Sequence, residues 1–139
     1  MPSRPKKTTT VHKFKDAVYG RTIAVVIASE AELVEFYNEL PHEDFIESID
    51  WAGLFLHLEF EEGGQSFIFL NRDCKKDLNC ILIHEVAHLA LDVFRSVGIT
   101  LSIDSEEAFA YYLEYLYSNL SGLVNASNKR KTKTPVRNR

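Results

Sequence analysis

The sequence predicts an α+β domain: a small twisted β-sheet packed against a long central helix, with a second, antiparallel helix following it. Three observations predict it. Residues 21–28 (RTIAVVIA) form a β-branched apolar run, residues 54–61 alternate with a period of two, and residues 77–97 carry apolar side chains round most of a helical circumference. The first two patterns require strands, and the third requires a helix buried on several sides.

Each element follows in order. Val11, Lys13 and Lys15 alternate with His12 and Phe14, which suggests a short strand. The run 21–28 reads as a central strand, because both of its faces are apolar. Ser29 then caps a helix, with Glu32 completing a capping box. Leu33, Phe36, Tyr37 and Leu40 form that helix's apolar face, and Pro41 ends it. Residues 42–50 are ambiguous, with a helical turn around Phe45, Ile46 and Ile49 as one reading. Leu54, Leu56, Leu58 and Phe60 then alternate with Phe55, His57, Glu59 and Glu61, as in a half-buried strand. A turn at residues 62–65 returns the chain as a second hairpin arm, SFIFLN, over 66–71. The long helix over 77–97 is ended by Gly98. Another helix opens at Asp104-Ser105-Glu106-Glu107.

The composition narrows the class. With 139 residues and 45% hydrophobic content, the chain has room for one domain with an ordinary core. No apolar run approaches the roughly 20 residues of a membrane helix, and MPSRPKKTTT lacks the apolar stretch of a secretory signal. Cys74 and Cys80 are too few for a disulfide framework, so a reduced, cytosol-like compartment is expected. The net charge of −4 conceals a split, since all 20 acids lie in 16–128 with only five bases. Eleven bases and no acid occupy 1–15 and 129–139. The expected organisation is a basic arm over 1–15, a domain over 16–124 and a basic tail over 125–139. Such ends serve as solubilisers or as anchors for an acidic partner or nucleic acid.

The chemistry is carried by HEVAH, residues 84–88, on the long helix. Histidines at i and i+4 stand one turn apart on one face, so both imidazoles can hold one Zn²⁺. The adjacent Glu85 can reach a metal-bound water as general base. A catalytic zinc needs a third protein ligand. Glu107 follows His88 after 18 intervening residues, and the connection 98–104 is short enough for its helix to turn back antiparallel. Glu107 also fits a capping box with Asp104, and Glu106 is the alternative ligand one residue away.

These residues resemble the gluzincin class of zinc metallopeptidases: HExxH, about 18 residues, then a Glu on a second helix. Glu107-Ala108-Phe109-Ala110 is similar to the stretch that often surrounds the third ligand of that class. The resemblance spans about residues 84–111 and implies a minimal zincin, with Zn²⁺ held by His84, His88 and Glu107 and with Glu85 as catalytic base. The large gluzincins have an extra lobe supplying an oxyanion-stabilising Tyr or His, and this chain is too short for one. Tyr111 could take that part or a supporting one, beside the more ordinary reading that it packs between helices with Tyr112, Tyr115 and Tyr117. Zincins place an edge strand above the active-site helix, which gives His57 a substrate-side reading. Asp92 could orient His88 or stand as a solvated carboxylate. No third His at HxxGxxH spacing follows, and Met1 is the sole methionine, so the metzincin pattern is excluded.

The resulting expectation is a zinc metallopeptidase acting on a peptide or protein substrate through a zinc-activated water. The alternative is a non-catalytic zincin-fold module docked through its basic ends. Short zincins of this kind also look like those of phage and mobile elements, which implies a cytoplasmic or virion-associated protein within a larger assembly.

Overall fold

The computed structural model describes residues 9–132, with side chains described through residue 127. Its elements are β1 (Thr10–Lys15), β2 (Thr22–Ala28), α1 (Glu30–Glu39), β3 (Gly53–Phe60), β4 (Gly63–Asn71), α2 (Leu78–Ser96) and α3 (Glu106–Thr132). The α+β class is as expected: one mixed four-stranded sheet in the order β1-β2-β4-β3, and three helices.

Alternation along the strands divides the core into two. Ile23, Val25, Ile27, Ile68 and Leu70 face α2 and α3, meeting Leu82, Val86, Leu89, Phe94 and Leu116. Their neighbours Ala24, Val26, Phe67 and Phe69 face the other way, onto Leu33 of α1 and Ile49. Both central strands are therefore apolar on both faces, which is why β2 reads as a continuous run. β2 and β4 pair in parallel, from Ile23↔Ser66 to Ala28↔Asn71. β3 pairs only with β4 among the described residues, antiparallel, and forms a sheet edge.

The helix ends follow their local chemistry. Ser29 accepts from the Glu32 N–H, the N-cap expected from the sequence, and its hydroxyl rather than its backbone N–H donates to the Glu32 carboxylate at 2.9 Å. Asp77 caps α2 by accepting from the Asn79 N–H at 2.7 Å. Gly98, at φ 79°, ends α2, and the Ile99 N–H reaches back to the Phe94 carbonyl at 2.8 Å. Residues 42–50 form no helical turn.

Two elements extend across the bounds drawn from charge, and the first is the strand suggested by the alternation over residues 11–15. Thr10–Lys15, assigned by charge to a basic arm over 1–15, is β1, paired antiparallel with β2 from Thr10↔Ile27 to Lys15↔Thr22. His12 and Phe14 are half-buried there while Val11, Lys13 and Lys15 face outward, so basic residues and a strand coexist. α3 continues to Thr132, through the start of the tail expected over 125–139. Buried Leu120 and Val124, with Asn125 bonded to Asn79 at 2.9 Å, hold it to the domain. The other basic residues, at 1–8 and 133–139, lie outside the described residues, and with them the expected docking to an acidic partner or nucleic acid. No helix among the described residues is long and apolar enough to cross a membrane.

Candidate metal centre

α2 presents its two faces differently. Ile81, Leu82, Val86, Leu89, Ala90, Val93 and Phe94 are buried, whereas Cys80, His84 and His88 lie on an exposed stripe with a four-residue repeat. His84 Nε2 and His88 Nε2 are 3.3 Å apart. Two nitrogens bound to one tetrahedral zinc at 2.0–2.1 Å stand about 3.3–3.4 Å apart, so the pair has the span of a two-imidazole chelate.

Glu85 points another way, under the start of β3, and is only 6% exposed. Gly53 makes that possible: a Cβ at this position would lie 2.5 Å from Ile81 Cγ2 and 3.0 Å from Glu85 Cγ. Burial pushes the Glu85 carboxyl above its ordinary value, opposed by His84, by His88 and by the Phe55 N–H that donates to it. A carboxylate withdrawn from water, one backbone donor away from the sheet edge, is a stronger proton acceptor than a solvated one. Beside it lies a cleft of about 330 Å³ lined by Ala52, Gly53, Lys76, Cys80, Ile81, His84 and Glu85.

Glu107 is not brought to the pair. Ser105, not Asp104, accepts the first bond of α3, from the Phe109 N–H at 3.0 Å, so Glu107 also misses the capping-box position. α2 and α3 are antiparallel, with Phe94 against Phe109 (centroids 5.6 Å) at one end and Asn79 against Asn125 at the other. His88 lies six residues before Phe94, so Glu107 sits about 10 Å or more further along the helix pair. It is also half a turn round from the buried Leu116, at about 100° per residue, and faces solvent. Glu106 shares that exposed first turn. Among the described residues no three His, Cys, Asp or Glu side chains form a group that could hold a metal ion.

His57 and Asp92 do come together, but around Arg21 instead of the histidine pair. Arg21 Nη1 donates to Asp92 Oδ2 at 2.5 Å and to Ser66 Oγ at 3.1 Å, and lies 3.3 Å from His57 Nδ1. Its Nη2 donates to Ser96 Oγ at 3.0 Å. His57 Nε2 bonds Glu59 at 2.8 Å and Nδ1 lies 2.9 Å from Ser66 Oγ, so both ring nitrogens have protein partners. Asp92 therefore fixes the helix to the sheet and does not orient His88. The one sequence signal for Arg21 is its isolation, as the sole Lys or Arg between Lys15 and Arg72.

Tyr111 is 67% exposed, one helical turn after Glu107 and on the same side of α3. Tyr112 is the buried one: its hydroxyl donates to Asp16 Oδ2 at 2.7 Å, and burial with that bond pushes its pKa far up. Neither a protein-family model, nor a curated protein, nor a solved structure matches this chain.

Proposed function

We propose that this protein is a zinc-dependent, metallopeptidase-like hydrolase built as a minimal zincin, with His84 and His88 holding the metal and Glu85 as general base. The 3.3 Å separation of the two Nε2 atoms carries this reading, because it is the spacing one zinc imposes on two imidazoles. When bound, zinc supplies Lewis acidity, which acidifies water and polarises a carbonyl.

The chain's own residues account for the remaining work. Glu85 Oε takes the proton of the attacking water and delivers it to the leaving amine, a task suited to its raised pKa. Ala52, Gly53 and Ile81 keep one wall of the cleft apolar beside that carboxylate. The open edge of β3 offers backbone donors and acceptors along which an extended peptide can lie. The third ligand of the gluzincin resemblance, Glu107, would join only if the first turn of α3 reoriented.

That outward placement of Glu107 favours a second reading, a module that retains the architecture without turnover. Zinc titration of the purified protein, of His84→Ala and of His88→Ala tests the metal assignment, with peptide-library cleavage as the second measurement. One zinc per chain, lost in both variants, with cleavage by the parent, supports the hydrolase. Zinc without cleavage supports the module.

A further inference from the structure

We infer that the cleft beside His84 and Glu85 selects a carboxylate on the substrate, through Lys76. The inference rests on the hydrolase reading and names its substrate class: a peptide with an acidic side chain, or a free C-terminal carboxylate, next to the bond that is cut.

The cleft has an apolar wall of Ala52, Gly53 and Ile81, and Lys76 is the one cation that lines it. Its volume of about 330 Å³ admits a single side chain. A ligand reaching in from the bond near Glu85 would lay a short methylene stem against Ile81 and present its tip to the ammonium. An ammonium on a four-carbon stem can follow either carboxylate source and make a charge-assisted hydrogen bond to it. Surrounding charge makes this placement selective. Residues 16–128 hold 20 acids and five bases, so a cation lining a cleft is an uncommon feature of this acidic stretch and a local attraction for an anionic group. Two of those five bases are committed elsewhere, Arg21 to Asp92 and Arg72 to the Ile27 carbonyl. Lys76 is thus a specificity-determining residue, and it lies outside the groups assigned to metal binding and proton transfer.

The test uses zinc-loaded full-length protein and three amidated peptide libraries with Glu, Leu or Lys fixed at one position, plus one Leu library with a free C-terminus. Peptide binding to the metal-free protein, read as NMR shifts of the Cys80 and His84 amides, supplies a measurement independent of turnover. We expect the Glu or the free-carboxylate library to bind and to be cut best, and the better of the two identifies the source. Lys76→Gln should reduce that preference by about two- to fivefold, as for an exposed ion pair. Lys76→Glu should reverse it toward the Lys library. Equal cleavage of all libraries, or a Lys preference in the parent protein, overturns the inference while leaving the hydrolase reading intact. Carboxylate-dependent binding without any cleavage keeps the inference and defeats the hydrolase. Absence of both defeats the inference.

Discussion

Arg21 at the head of β2 lies against Asp92 of α2, Nη1 to Oδ2 at 2.5 Å, and this contact fastens the histidine-bearing helix to the sheet. Asp92 stands one turn beyond His88, and the Arg21 side chain is 9% exposed. The same guanidinium touches Ser66, His57 and Ser96, so one residue connects all three strands near the site with the helix.

Arg21→Ala should therefore destabilise the protein by about 2–3 kcal/mol, since a half-buried carboxylate and the buried Ser66 hydroxyl each lose a donor. Chemical denaturation measures this. Arg21→Lys should recover only part, because an ammonium cannot reproduce the two-nitrogen fork. A loss below about 0.5 kcal/mol for Arg21→Ala, the scale of an ordinary surface change, would show the network to be ornamental.

Gly53→Ala should separate metal binding from chemistry. The added methyl enters the space of Ile81 and Glu85, and overpacking of this sort costs about 1–3 kcal/mol. His84 and His88 lie on the exposed side of α2, so zinc content should stay at the parent level while cleavage falls. Equal loss of zinc and of cleavage would mean that the two faces of the helix are not independent.

The raised pKa of Glu85 has a consequence for the metal-free protein. Between the ordinary carboxylate value of 4.5 and the raised folded value, the folded state binds more protons than the unfolded state. Stability should therefore fall as pH rises through that window, and Glu85→Gln should flatten the dependence. Denaturation midpoints from pH 4 to 8 check this. An unchanged slope in Glu85→Gln would show that the carboxyl is not the group responsible.

The register of α3 predicts unequal effects among the three candidate ligands. His84→Ala and His88→Ala should abolish stoichiometric zinc binding, whereas Glu107→Gln should leave zinc affinity within about threefold, because a solvent-facing carboxylate contributes little to a distant site. A large loss in Glu107→Gln, matching either histidine variant, would show that α3 turns its first residues inward when metal binds.

Much of this arrangement was legible in the sequence, for local reasons. HEVAH fixes the His84–His88 spacing by helical geometry alone, and the alternation over 54–61 gives a strand whatever its partners. Glu107 was misplaced because residue spacing does not specify how far α2 continues past His88, nor which way α3 rotates on packing Phe109, Tyr112 and Leu116 inward. The cluster of Arg21, His57 and Asp92 was invisible for a related reason, since it joins residues 71 positions apart. The surroundings of His57 come from β4: Ser66 stands opposite it, and at Gly64, opposite Glu59, a Cβ would come within 2.8 Å of the imidazole. The strand over Thr10–Lys15 was legible as the alternation of residues 11–15, whereas charge alone places those residues in a basic arm, because charge marks solvent exposure and a sheet edge is exposed on one face.

If Glu85 moves the proton in a reaction at a zinc held by His84 and His88, zinc content and peptide cleavage rate should separate when both are measured on the same preparations of the parent protein and Glu85→Gln. Zinc should be equal in both, and cleavage lower by about 10²–10⁴ in the variant, the usual contribution of a general base. Equal zinc with cleavage unchanged, or absent from the parent across a broad library, would contradict that role of Glu85.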